Sequence, residues 1–288
     1  MKLSVAIPGH IRAFRIGTVP DWARQIERLG FDGMSVTDRR AWPTPEPMTS
    51  LAAAAAVTAR IQLLSSVVLA PPRASASTFA SEVATVDHLA GAGRLRLGLA
   101  PGGRASDYVD DPTRFEHRGR DFDTMLARLK AHWNSADEDA VGPAPATAGG
   151  PPLLFGGHSQ PTIRRVVEHG AGWIAGGLPP EAVNRFRIRI ADAAAKAGRH
   201  EHTETLVSIM VSLGPDTAGA GLNAIGEYYH DLGEDVSRGA VAATVTDPHS
   251  LRASIRAYGD AGADHIIMTV NDPDPDSLTS LAQALGLL

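Results

Sequence analysis

The chain contains no cysteine, and that absence removes disulfides, thiolate zinc centres, iron–sulfur clusters and cysteine nucleophiles together. It also lacks an apolar run of membrane-spanning length; the smoothest stretch, Leu51–Val57, is a short alanine-rich helical segment. The amino terminus, MKLSVAIPGH, reads as a brief strand and is too short for the apolar core of a secretory signal. A cytoplasmic location with no membrane partner is the expectation. Cations are not in surplus, the formal net charge being −5, which argues against a nucleic-acid partner. Arg185, Arg187 and Arg189 fall inside a helical pattern and read as a solvated flank. No Gly-x-Gly-x-x-Gly fingerprint follows the first strand, which speaks against a nicotinamide-binding Rossmann domain. Ordered Asp/Glu/His ligand sets are missing at the strand ends, and the His200/His202 spacing is a weak metal signal, so no metal site is expected.

What the chain does have is regular alternation between strand-like and helix-like periods. Strands are predicted at Leu3–Ile7, Met34–Thr37, Ile61–Leu69, Leu95–Leu99, Pro152–Phe155, Gly172–Ala175, Thr205–Leu213 and His265–Val270. Between them the pattern predicts helices at Pro20–Leu29, Met48–Ala59, Ser77–Ala90, Arg120–Trp133, Gln160–His169 and Pro180–Ala197. A helical stretch through Leu232 and helices Asp247–Ala261 and Asp276–Leu285 complete it. Eight strand–helix units in 288 residues match one (β/α)8 TIM barrel spanning 1–288. A doubly wound open sheet stays open as the alternative, since alternation does not prove closure. Asp137–Pro151, rich in Ala, Gly and Pro, reads as a mobile surface loop.

The strands are apolar along most of their length, as burial on both faces requires, and several end in small or polar residues. In parallel α/β proteins those carboxyl ends collect ligands. Gly156-Gly157 and Gly176-Gly177 end consecutive strands. The first pair, with Ser159, precedes a helix N-terminus, where bare backbone N–H groups and the helix dipole favour a phosphate; the alternative is a pair of tight turns. Arg164 is a weaker addition, and equally a surface residue of its helix. Ser65-Ser66-Val67 puts two hydroxyls into an apolar strand. Asp38-Arg39-Arg40 ends the second strand. Arg39 cannot give up its proton near neutral pH but can stabilise an anion. His10, just past the first strand, titrates in the working range when unperturbed, and Tyr108 offers a phenol on the loop Arg104–His117. Each of these three has a bland reading as well, as an exposed or packed loop residue. That loop and Asp137–Gly150 are expected to form the substrate pocket.

Several segments together resemble the bacterial luciferase-like family of flavin- or deazaflavin-dependent oxidoreductases. They are ARQIERLGFDGMSVTD (Ala23–Asp38), Thr49–Arg73, FASEVATVDHLAGAGRLRLGLAPGG (Phe79–Gly103), Asp107–Asp123, PPLLFGGHSQPTIRRVVEHGAGW (Pro151–Trp173) and GADHIIMTV (Gly262–Val270). The resemblance implies a barrel binding a flavin at its carboxyl rim, with Asp38, Ser66, Val67, Gly98, Gly156, Gly157, Ser159, Gly176 and Gly177 around the cofactor. It also implies a non-proline cis peptide at Ser66–Val67, and His10 and Arg39 on the reacting side, with Tyr108 kept beside them as a candidate read from its loop alone. Arg39 stands where many relatives carry a histidine, and Gly103 where deazaflavin-dependent sugar-phosphate dehydrogenases carry a glutamate. The implied activity is a two-component monooxygenase using reduced FMN and dioxygen on a small organic substrate, with a separate flavin reductase. Hydride transfer with the deazaflavin coenzyme F420 is the alternative, and a non-catalytic flavin-binding protein the second. A homodimer joined near Met48–Ala59 and Ser77–Ala90 is the family expectation.

Overall fold

The computed structural model describes residues 1–73, 75–110, 114–135, 142–213 and 217–288. Parallel strands β1 (Lys2–Ala6), β2 (Gly33–Val36), β3 (Gln62–Ser65), β4 (Val68–Leu69), β5 (Leu95–Ala100), β6 (Leu153–Gly156), β7 (Gly172–Gly176), β8 (Glu204–Val211) and β9 (His265–Val270) form one sheet. Its order is β3-β2-β1-β9-β8-β7-β6-β5-β4, and β3 also pairs β5, with Leu63 opposite Leu95. That last pairing closes the ring. Because β3 and β4 are two pieces of one stave, the barrel has the eight staves predicted. The break between them carries a cis peptide at Ser66–Val67, so the expected single strand Ile61–Leu69 is interrupted there.

Residues two apart along a strand point to the same side, and this stacks the barrel interior in three levels. At the amino-terminal end Ser4 Oγ meets His265 Nε2 at 2.6 Å, and Arg96 pairs with Glu204. Two residues further along each strand, Ala6, Leu64, Leu154, Ile174, Leu206 and Ile267 form an apolar plug. Above that plug the side chains become small or polar. The larger apolar cluster lies between the ring and its helices.

The helices follow local signals. In α1 (Val19–Arg28) Val19, Trp22, Ala23 and Ile26 are buried at helical spacing, and Gly30, at φ 84°, turns the chain into β2. α2 (Pro47–Ala55) is capped by the Glu46 carboxylate accepting from Thr49 N, and α3 (Ala76–Ala90) by Ser75. α2 stops short of the predicted Ala59 because the Glu27 carboxylate takes the backbone N–H groups of Ala59, Arg60 and Ile61. α4 (Arg114–Trp133) begins six residues before the predicted start. Phe115 anchors its first turn, edge-on to Tyr108, with the Arg118 guanidinium 4.0 Å from its ring centre.

α5 (Gln160–His169) and α6 (Pro180–Lys196) fall where expected. Between β8 and β9 the predicted single stretch is α7 (Thr217–Tyr229), a short 3-10 turn His230–Leu232 and a separate α8 (Glu234–Ala242). α8 buries none of its residues, so it has no apolar stripe to betray it in the sequence. α9 (Pro248–Asp260) and α10 (Ser277–Leu285) follow. Part of the loop predicted at Asp137–Pro151, residues 137–141, lies outside the described residues. Its remainder corrects one expectation. Thr147 is bound to the Asp87 carboxylate and Gly93 N, at the amino-terminal end of the barrel, so residues 142–150 do not line a pocket at the opposite rim. No described helix is long and apolar enough to cross a membrane.

Candidate functional site

At the carboxyl ends of the strands lies a cavity of about 510 Å³. Its floor is the third interior level, with Thr37, Ser66, Gly156, Gly176, Ser208 and Thr269 each two residues beyond the plug or its neighbours. Of the residues singled out from the sequence, the cavity wall brings together His10, Asp38, Arg39, Ser66, Val67, Gly156, Gly157, Ser159 and Gly176. Three others stand apart from it. Gly98 sits one level lower, where a Cβ would come 2.0 Å from Ser65 O and 2.7 Å from Ile174 Cδ1; close packing explains the glycine there. Gly177, at φ 67°, is the turn beyond Gly176. Tyr108 is buried behind the wall and donates its hydroxyl to Pro101 O, bracing the Pro101–Gly103 segment. Burial pushes its phenol up to about 12.

One side of the cavity gathers features that favour an anion. β6 ends in Gly156, and Gly157 adopts φ 106°, a conformation that side chains disfavour. Ser159 is the N-cap residue of α5, and its hydroxyl lies 3.2 Å from that of Thr162. A Cβ on Gly157 would come 3.1 Å from Thr162 Oγ1, and one on Gly156 3.1 Å from Val67 Cγ1, so both glycines keep this corner open. At the start of α5 Pro161 carries no N–H and Thr162 N donates to Ser159 O, so Gln160 N and the helix dipole are what favour negative charge there. Arg118 of α4 joins the same wall. It donates to Gly102 O and Phe115 O and meets no carboxylate among the described residues. Arg164, by contrast, pairs with Asp123 on the outer surface.

The opposite side carries the ionisable groups. Asp38 Oδ2 accepts from Leu69 N at 3.1 Å and Arg73 Nη2 at 3.2 Å. Burial raises its carboxyl's affinity for a proton, and Arg73 opposes that. Ser66 Oγ is 2.6 Å from Ser35 Oγ, and Ser66 O accepts from Thr37 Oγ1. His10 is buried and lowered to about 4, chiefly by loss of water, with the Asn271 side chain offsetting part of the effect; its ring is neutral at pH 7. His10 Nε2 has no partner among the described residues. Arg39 is fully engaged: Nε to Asp107 at 3.0 Å, Nη2 to Asp231 at 3.2 Å and Nη1 to Tyr228 O at 3.4 Å.

Several residues of this site were not singled out from the sequence, among them four that carry its charge and its aromatic wall. Arg118 belongs to the unpredicted first turns of α4. Tyr228 and Tyr229 close α7, and Asp231 follows in the 3-10 turn. The Tyr228 ring packs edge-on to His10 and Trp42 at 5.9 and 5.4 Å. Two of the chain's four tyrosines standing side by side were the available signal, but nothing local says that α7 folds back over the rim.

Residues 1–264 match the model of the luciferase-like monooxygenase family. The chain belongs to that family. A Mycobacterium tuberculosis protein described as uncharacterized is 27% identical over 193 aligned residues, covering 63% of this chain and 67% of that one. Among solved structures, the monooxygenase RslO1 from Streptomyces bottropensis superposes with a TM-score of 0.79 at 21% identity, over 99% of this chain and 98% of that chain. An F420-dependent secondary alcohol dehydrogenase in complex with an F420-acetone adduct superposes at 0.78 and 16% identity, over the same shares. At such identities these likenesses establish the luciferase-like barrel, and the chemistry has to be argued from the residues. Among the described residues no group of His, Asp and Glu could hold a metal ion; His202 meets Asp264 instead of joining His200.

Proposed function

We propose that this luciferase-like enzyme is a two-component monooxygenase that takes reduced FMN from a separate reductase and, with dioxygen, oxygenates a small organic substrate. The anion corner fits the cofactor's tail. Gly156, Gly157, Ser159 and the first turn of α5 would hold the phosphate, with Arg118 supplying a countercharge. The isoalloxazine would rest toward Ser66, Val67 and the Thr37 hydroxyl. When bound, a reduced flavin supplies the electrons that activate dioxygen. The chain's own part is to orient that ring, to exclude water with Ile7, Val67, Ile174 and Met210, and to present a neutral His10 to the substrate.

The observation that carries this reading is the count of uncommitted cations. Three arginines line the cavity, and among the described residues only Arg118 lacks a carboxylate partner. One helix N-terminus and one guanidinium whose charge no carboxylate matches suit a single terminal phosphate. The longer anionic tail of a deazaflavin coenzyme calls for more.

His10 favours a second reading. A neutral imidazole can take the hydroxyl proton when an alcohol yields hydride to F420. Anaerobic titration with reduced FMN and reduced F420, followed by turnover under ¹⁸O₂, separates the two. Tighter binding of FMN and ¹⁸O in the product support the proposal. Preferential binding of F420 with air-independent hydride transfer refutes it, and FMN binding without turnover across a substrate panel would favour a flavin-binding protein.

A further inference from the structure

The reacting end of the cavity is crowded with charge, yet the charges cancel. Arg39 and Arg104 face Asp107 and Asp231. Asp231 holds both arginines, Arg39 through Oδ2 at 3.2 Å and Arg104 through Oδ1, and accepts from Ser106 Oγ at 3.1 Å. Both guanidiniums also donate to Tyr228 O, at 3.4 and 3.0 Å, one of the last carbonyls of α7. Cations placed there satisfy a carbonyl that the helix cannot pair and oppose the negative end of its dipole. The network therefore clamps the end of α7 over the rim and in doing so consumes Arg39 and Arg104, the cations that line this end among the described residues.

Among the described residues, what is left to a substrate at this end carries no net charge. Asp38 is matched by Arg73. The His10 ring is neutral, and burial holds the Tyr228 and Tyr229 phenols in their protonated form. The two tyrosine rings meet at 5.1 Å and 87°, forming an aromatic corner in the cavity that Ile7, Val67 and Met210 also line. A carboxylate entering this end would shed its water and find no unpaired donor of opposite charge, a costly exchange. A neutral molecule with an apolar body loses little water and covers the corner.

We propose that this end of the cavity selects neutral, apolar-bodied substrates, and that Asp231 enforces the selection by cancelling the rim arginines. The inference rests on reading the cavity as the redox site. Its test is a calorimetric titration of the FMN-loaded chain with 2-naphthol and with 2-naphthoate, which differ chiefly in charge. The neutral probe is expected to bind at least tenfold more tightly. Asp231→Asn leaves one positive charge uncancelled and should narrow that ratio about tenfold; Asp107→Asn should narrow it in the same direction. Running the same pair without FMN in Arg118→Ala removes the remaining free cation, so a failure of FMN to bind is read separately from a failure of selection. Equal or tighter binding of 2-naphthoate by the wild-type chain, binding of neither probe, or an unchanged ratio in folded Asp231→Asn and Asp107→Asn would overturn the proposal.

Discussion

Acidification should unfold this barrel through its buried histidines, and the size of the effect can be worked out. His10 and His265 are both lowered from 6.5 to about 4, in each case mainly by burial. A histidine whose folded pKa is depressed contributes stability that is fully present above its unfolded pKa. That contribution is lost as pH falls through the folded value, because the unfolded chain binds the proton first. Between pH 7.5 and 4.5 each such group costs about 2.5 kcal/mol, against a total of roughly 5–15 kcal/mol for a typical protein. His265 gives the cleaner test, since it lies at the far end of the barrel from the cavity. His265→Gln can keep a hydrogen bond to Ser4 Oγ and does not titrate. Urea unfolding at pH 7.5 and 4.5 should therefore show the variant losing about 2.5 kcal/mol less than wild type. Asp38 and Glu82, raised by burial, act in the opposite direction, and Glu27, Glu46 and Asp123, which are lowered, act mainly at the acid end of the range. All of these are common to both proteins and cancel in the comparison. If wild type and variant lose the same stability, His265 is not held neutral by burial and the reasoning fails.

Three further outcomes follow from the geometry. Arg118→Ala should weaken FMN binding about ten- to hundredfold, corresponding to about 1.5–3 kcal/mol for a charge-assisted hydrogen bond, and leave riboflavin binding unchanged; equal loss of both would remove Arg118 from the phosphate corner. Arg39→Ala strands Asp107, whose side chain is 2% exposed, and should cost about 3–5 kcal/mol of stability. Arg39→Leu combined with Asp107→Asn should recover part of that in urea titrations, whereas a single variant as stable as wild type would show the pair to be dispensable. Gly98→Ala forces a methyl onto Ser65 O and should cost about 1–3 kcal/mol or more by overpacking. Flavin affinity of the folded fraction should hold, and a variant that keeps its stability but loses flavin would place Gly98 in the binding site.

Much of the architecture was legible in the chain. Alternating periods set out eight strand–helix units, because a strand buried on both faces has to be apolar and a helix covering it has to be amphipathic. The breaks at Asp38, Ser66, Gly156 and Gly176 pointed to the rim that carries the cavity, since a ligand site there needs small or polar residues where packing would ask for apolar ones. Local patterning failed where it had no face to show, as with α8 and the first turns of α4. It failed also where a loop's end of the barrel mattered, as with residues 142–150: a loop's composition is the same whether it precedes a strand or follows one.

Gly98 and Arg39 show what the sequence could not decide. Period-two alternation places Gly98 on the inside of its strand, yet only the neighbouring Ile174 and Ser65 reveal that the position lies below the cavity and is filled. Arg39 reads as a free cation at a strand end until α7, almost 190 residues later, folds its last carbonyls and Asp231 onto the rim and takes that charge away. Periodicity belongs to the chain and is fixed by residue order. The charge balance of a pocket belongs to contacts between distant segments, and only the closed barrel brings those together.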